Sequence, residues 1–174
     1  FHPMKGPMTT QTLRGLQGTG FLHWRGDRAD FQAFNPAFDK LLGGPQLAAA
    51  DMNDFAAFAM AIVHPPNPAQ QLDRSYRTAP AGNNEAAGLV AYNQNVAGSI
   101  LPTGTSCNTC HTLPRGTNGF VVAAVALQEP QQMKVPQLRN MYRKVGFART
   151  PGPKKSGFGF THDAGFKRAD LVAR

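Results

Sequence analysis

Cys107-Asn108-Thr109-Cys110-His111 is the stretch from which the rest of the chain is read. It holds both cysteines of the sequence, three positions apart, with a histidine directly after the second. C-x-x-C-H is the spacing of c-type haem attachment. Each thiol adds to one vinyl group of the porphyrin, and the adjacent imidazole is brought to the iron as its proximal ligand. Other chemistries also use paired cysteines. A zinc site needs four ligands, and with both thiols counted only scattered histidines and carboxylates remain. A thioredoxin-like redox pair wants a preceding strand and a helix opening at the first cysteine within a βαβ pattern, which is not visible here. Two merely structural thiols would leave the position of His111 to coincidence. The motif therefore predicts one covalently attached haem c, anchored by Cys107 and Cys110, with His111 as the proximal iron ligand.

A chain of 174 residues, 41% of them apolar, suits one domain or two small ones, and a porphyrin would enlarge the core. No run approaches the roughly 18 apolar residues of a membrane span. The chain opens on Phe1 with no signal-peptide pattern, so its N-terminus reads as cleaved or not fully represented. Covalent haem attachment is completed outside the bacterial cytoplasm, which predicts a periplasmic, extracellular or cell-surface location. The net charge of +8 is uneven. Residues 1–106 carry seven Lys/Arg against seven Asp/Glu, and residues 107–174 eleven against three. The basic half, including Arg139, Arg143, Lys144, Arg149, Lys154, Lys155, Lys167 and Arg168, suits an acidic redox partner, neutralised haem propionates, or simply a solvated face. Nucleic acid is disfavoured, because no binding motif or aromatic platform accompanies the charge.

Along the chain, residues 1–28 are rich in Gly, Pro and Thr and read as loop. From Asp30 to Leu42, Phe31, Phe34 and Phe38 recur at helical spacing, broken by Pro36 and stopped by Gly43-Gly44, which predicts a short helix with an aromatic inner face. Asp51 is placed to cap a helix running to about His64, with Met52, Phe55, Ala59 and Ile62 on one side. Pro65-Pro66-Asn67-Pro68 ends it. Asn84-Glu85 opens a further helix reaching Gly98, in which Gly88 would admit a crossing helix beside Tyr92. Gly104 and Gly116 flank the cysteine motif and leave backbone room beside a large flat ligand. Val121–Leu127 is a short apolar segment. Pro136 is placed as the first residue of a helix to Val145, stopped at Gly146. The expected architecture is mostly α: cytochrome c-like helical haem units with long Gly/Pro-rich loops and little strand. Its boundaries are 1–68 for a partial unit lacking its own C-x-x-C-H, 69–83 for a linker, and 84–174 for the unit with covalent haem.

A repeat supports the two-unit reading. Met8 to Arg14 matches Met133 to Arg139 at the methionine, leucine and arginine, and Gly20-Phe21-Leu22-His23 matches Gly159-Phe160-Thr161-His162. By this correspondence Met8, Arg14 and His23 would surround a second haem, whose attachment motif lies outside this chain segment.

Taken together, Cys107-x-x-Cys110-His111, Lys134-Val135-Pro136-Gln137-Leu138-Arg139-Asn140 and Gly159-Phe160-Thr161-His162-Asp163 resemble the C-terminal half of bacterial di-haem cytochromes of the cytochrome c peroxidase superfamily. The runs from His2 to Gln11, His23 to Asp27 and Pro65 to Pro68 look like a less characterised branch of it. The resemblance implies two mostly helical haem domains. Two departures stand out: the first C-x-x-C-H is missing, and no methionine follows His162-Asp163-Ala164, where peroxidase members place an axial one.

The iron's sixth ligand has three candidates. Met133 comes first, because a thioether raises the reduction potential and the residue precedes a predicted helix. His162 would give bis-histidine ligation, and Met141 lies inside that helix. Any methionine is also an ordinary gap-filler of cores. Arg139 suits a propionate, being able to grip a carboxylate with two N–H groups. Trp24, the lone tryptophan, lines an electron path or fills core; His64 reads as structural, and His2 is too near the terminus to assign. The leading expectation is an electron-transfer cytochrome. The alternatives are a peroxidase- or oxygenase-like enzyme using His162 or Glu129 as acid/base group, and one subunit of a larger multi-haem assembly.

Overall fold

A computed structural model describes residues 6–67, 70–82, 84–94, 104–144 and 159–163. Its elements, in order, are a 3-10 turn Gln32–Phe34, α1 Asn35–Lys40, α2 Ala49–Ala61, α3 Glu85–Asn93, α4 Cys107–Cys110, β1 Val121–Val122, α5 Ala124–Leu127, β2 Met133–Lys134 and a 3-10 turn Met141–Lys144. The two strands pair antiparallel, Val121 with Lys134 and Val122 with Met133. No described helix is long and apolar enough to cross a membrane.

The aromatic spacing of residues 31–38 gives the 3-10 turn and α1, and Pro36 sits in the first turn, where its missing N–H costs nothing. The Asn35 side chain then closes the following loop through both backbone groups of Leu47, at 2.9 and 2.8 Å. Leu22, Phe31, Met52 and Ala59 form the core, with Leu16, Phe34, Phe38, Leu47, Ala56 and Met60 packed around them. Met52, 1% exposed, contributes about 1.5–3 kcal/mol by its burial.

Several expectations about α2 are corrected. Asp51 lies in its first turn, where its charge favours the helix dipole, and Ala48 holds the capping position. The helix stops at Ala61, short of His64. Ile62 turns extended, and its carbonyl accepts from Gly15 N at 2.7 Å, so the N-terminal arm takes the acceptor while Pro65 holds the preceding residue out of helical space. Phe55 is 45% exposed, yet its ring packs on Phe31 at 5.3 Å and on Phe38 at 6.2 Å.

α3 opens where Asn84 accepts from Ala87 N. Asn84→Ala is expected to cost about 1 kcal/mol of stability, measured by urea unfolding, because a helix N–H loses its acceptor. The helix ends at Asn93, and the expected stop at Gly98 lies outside the described residues. Among the described residues no helix crosses at Gly88, and nothing lies within 4 Å of a Cβ placed there.

The predicted helix from Pro136 does not form. Met133–Lys134 is a strand, Val135 N donates to Phe120 O at 2.9 Å, and Val135 O accepts from Thr117 Oγ1 at 2.6 Å. With these groups taken by the neighbouring segment, the chain stays extended, and only Met141–Lys144 turns into a 3-10 coil. The expected stop at Val145-Gly146 lies outside the described residues.

The repeat has a structural counterpart, displaced by one residue from the sequence match. Leu22 and Phe160 are both buried, and each is followed by a left-handed residue, His23 at φ 64° and Thr161 at φ 64°. The next residues, Trp24 and His162, offer their carbonyls crosswise: Lys134 N donates to Trp24 O at 2.7 Å, and Thr9 N to His162 O at 2.6 Å. The segment after Met8 thus pairs with the second loop, and the segment after Met133 with the first.

Candidate functional site

Ser106-x-x-Thr109 is a capping box, with Ser106 N donating to Thr109 Oγ1 at 3.0 Å, and it turns Cys107–Cys110 into a single helical turn. Both thiols are free and half-buried. His111 closes the turn, its N–H donating to Cys107 O at 2.9 Å. Its Nδ1 lies 3.0 Å from Gly116 O and 3.0 Å from Pro136 O. Carbonyls only accept, so Nδ1 carries the proton and Nε2 keeps its lone pair, the tautomer a metal-binding imidazole needs.

Gly116 makes this approach possible. It adopts φ +71°, and a Cβ there would lie 2.7 Å from Leu138 N. Tyr92, on α3, donates its hydroxyl to the His111 carbonyl. Burial and then the neighbouring Cys107 push this hydroxyl up to about 12, from an ordinary 10.0. A folded-state pKa above the unfolded one means that stability is intact below pH 10 and falls as pH rises toward 12. Tyr92→Phe is expected to cost about 0.5–1.5 kcal/mol at neutral pH. It should also abolish part of the alkaline decline, measured by urea unfolding across that range.

Beside the motif is a hollow of about 550 Å³, lined by Tyr92, Leu113, Arg115, Gly116, Leu138 and Arg139 among others. Two thiols on one helical turn and an imidazole held at Nδ1 by two carbonyls are the donor set a covalent haem would use, while the hollow itself is lined by neither cysteine nor His111 and mixes apolar side chains with Glu85, Arg115 and Arg139. Among the described residues no three or more His, Cys, Asp or Glu side chains converge on a common ion.

The other sequence candidates lie at different places. Met133 is buried in β2, 9% exposed. The segment it leads into reaches His111 through the Pro136 carbonyl, on the Nδ1 side of the ring and away from Nε2. Met141 is half-buried in the 3-10 turn. His162 stands edge-on to Trp24, ring centres 6.3 Å apart. Arg139 donates Nε to Gln137 Oε1 at 2.8 Å and a terminal nitrogen to Gly15 O at 2.5 Å. Met8 and His23 line a second hollow of about 390 Å³ with Gln11, Trp24, Phe31 and Phe34. His23 is committed to Asp27 at 2.9 Å and stacks edge-on against Phe34. Arg14 holds Gln137 through its carbonyl. Trp24 is fixed by Nε1 to Thr9 O at 2.7 Å, with Lys144 Nζ 5.5 Å from its ring centre. Glu129 donates its N–H to Ala124 O in the turn after α5.

Sequence reasoning missed the Tyr92 hydrogen bond and the two carbonyls on His111. Tyr92 carried a signal in its place one helix before the motif; a backbone carbonyl carries none. The chain matches no protein-family model, no curated protein and no solved structure.

Proposed function

We propose that the protein is an extracytoplasmic c-type cytochrome that transfers electrons. The observation that carries this reading is the doubly anchored Nδ1 of His111, which frees Nε2 for iron beside two thiols on the same turn. The haem, when bound, supplies an iron that cycles between two oxidation states. Cys107 and Cys110 tether it, and His111 ligates it from a ring that two carbonyls keep from turning. Such anchoring raises imidazole basicity and fixes ligand orientation. Tyr92 holds the His111 peptide still, and Leu113 and Leu138 would offer apolar surface to the porphyrin. For the sixth ligand, Met133, His162 and Met141 remain the candidates, Met133 being buried in β2. The basic C-terminal half would meet an acidic redox protein at the periplasmic or outer surface.

A second haem environment is favoured by the crosswise pairing of the two arms. Under the Met8–Met133 correspondence Gln11 takes the place of Pro136, and it lines the hollow that Met8 and His23 share. A proximal imidazole from another chain, or from a segment outside this one, would find its acceptor in the Gln11 carbonyl. That arrangement suits either a di-haem protein or one subunit of a multi-haem assembly.

The deciding experiment is an electronic spectrum of protein matured in a host that attaches haem. Low-spin bands in both oxidation states, unmoved by peroxide or carbon monoxide, are expected of the carrier. A high-spin component that reacts with either assigns a peroxidase-like enzyme instead, and a colourless chain removes both.

A further inference from the structure

Where the N-terminal arm crosses the C-terminal half, Arg14, Arg115 and Arg139 gather, and no described ion pair involves any of them. Gly15, at φ +66°, is the crossing point: a Cβ there would lie 2.6 Å from His64 Cδ2 and 2.8 Å from a terminal nitrogen of Arg139. Arg14 flanks it on the arm. Arg115 reaches in from the loop after His111, its guanidinium against Gly18 and its charge acting on Arg139. The described ion pairs nearest in sequence to these elements use Asp27 and Glu85, with Arg25, Arg28, His23 and Arg77 as their partners. Glu85 lines the same hollow as Arg115 and Arg139, but Arg77 holds it at 3.6 Å.

The protonation of His64 follows from its neighbours. Arg139 Nε can only donate, so Gln137 Oε1 is an acceptor, and Gln137 Nε2 donates to Arg14 O at 3.0 Å. His64 Nε2, 3.3 Å from the same Oε1, must therefore carry the proton. Its Nδ1 is left as a buried lone pair with no partner. Burial first, then the charges of Arg139 and Arg14, lower the pKa of His64 against the opposing Gln137 hydrogen bond.

We infer that this seam is an oxyanion site, in which a carboxylate or phosphate-class group is held by Arg14, Arg115 and Arg139 and its arrival puts a proton on His64 Nδ1. Three guanidiniums against one carboxylate, Glu85, which Arg77 already pairs, leave a net positive field, and guanidinium is shaped to grip such anions. The anion would offset the Arg139 and Arg14 charges that, after burial, disfavour a proton on His64, so binding and proton uptake are coupled. The anion has two sources: the carboxylates of a porphyrin in the adjoining hollow, which rests on the haem reading above, or a free oxyanion, which does not.

The test follows the His64 pKa by NMR, with His64→Gln to assign the signal. It is measured in the haem-loaded chain and in the haem-free Cys107→Ala/Cys110→Ala chain, in inorganic phosphate and in chloride of equal ionic strength. In the haem-free chain His64 should titrate below an ordinary histidine in chloride and rise by about one unit, a tenfold shift in proton affinity, in phosphate. Arg14→Gln should diminish that rise. If porphyrin carboxylates fill the seam, His64 is already raised in the loaded chain, and phosphate adds nothing. If a free oxyanion is the ligand, phosphate raises it in both. A pKa that neither phosphate nor haem moves overturns the inference. Should the double variant fail to fold, the loaded chain decides: phosphate raises the His64 pKa or His64→Gln flattens the pH dependence of the iron potential, and the inference is overturned when both effects are absent. If the wild-type chain proves colourless, the haem reading fails alone, since that chain then serves as the haem-free specimen.

Discussion

The Cys107→Ala/Cys110→Ala protein is expected to leave the cell with its bare polypeptide mass and no colour, whereas the wild-type chain carries the added mass of one haem. The effect is all-or-none, because each thioether is a covalent bond from one sulfur and no other cysteine can replace it. Either single alanine variant should retain the pigment through one thioether, and denaturation should not release it. His111→Gly should keep the added mass while shifting the iron toward a high-spin spectrum, since in the proposed function His111 takes part in ligation and not in attachment. The double anchoring of Nδ1 gives a further expectation for the wild type: the imidazole is held on two sides, at 3.0 Å each, so imidazole added to the solution should displace it poorly. Intact-mass measurement and a visible spectrum on the same samples separate these outcomes. Wild-type protein of unmodified mass from a haem-attaching host would contradict the whole series.

Gly20→Ala is expected to destabilise the fold by about 2–4 kcal/mol. The backbone at Gly20 has φ +74°, and a Cβ there would lie 2.4 Å from Gly119 O and 2.9 Å from Gly119 Cα. Both obstacles are main chain, so no rotamer change relieves them. Two further alanine variants calibrate the result. Gly43 has φ +74° but nothing within 4 Å, so its replacement carries only the left-handed strain, about 1–2 kcal/mol. At Gly26 the obstacle is Val121 Cγ2 at 2.4 Å, the end of a side chain that can turn away, and its loss should fall between the other two. Urea unfolding of the three proteins gives the order, and a Gly20 loss no larger than that of Gly43 would mean that the two glycine backbones are not pressed together.

What the sequence disclosed were signals that act over a few residues. Asn84 before Glu85 caps α3 because an amide oxygen three residues ahead of an N–H needs nothing else. Phe31, Phe34 and Phe38 declared the aromatic face of α1 through their spacing, and Gly43 adopts the left-handed backbone that ends it. What stayed hidden depends on partners far along the chain. Pro136 carries a good helix-start signal, but the carbonyls of Val135 and Pro136 are claimed by Thr117 and His111, and local preference yields to those bonds. His64 falls outside α2 because Gly15 takes the carbonyl of Ile62. Gly88 invited a helix crossing that α3 does not make among the described residues, where nothing lies within 4 Å of a Cβ placed there. At the candidate site the motif disclosed the three side chains, while the carbonyls that set the imidazole tautomer became visible only in three dimensions.

The crosswise bonds between the arms and the opposite loops make the chain a clasp. Gln132 reaches Arg25, Gln137 reaches Arg14 and Arg139 reaches Gly15, each across more than a hundred residues. A protease cut in the exposed stretch 70–82 should therefore leave the two fragments associated through gel filtration, whereas either fragment made alone should lack the other's closing strand. Such long-range closures also slow folding, since the loops must be drawn together before any of these bonds can form.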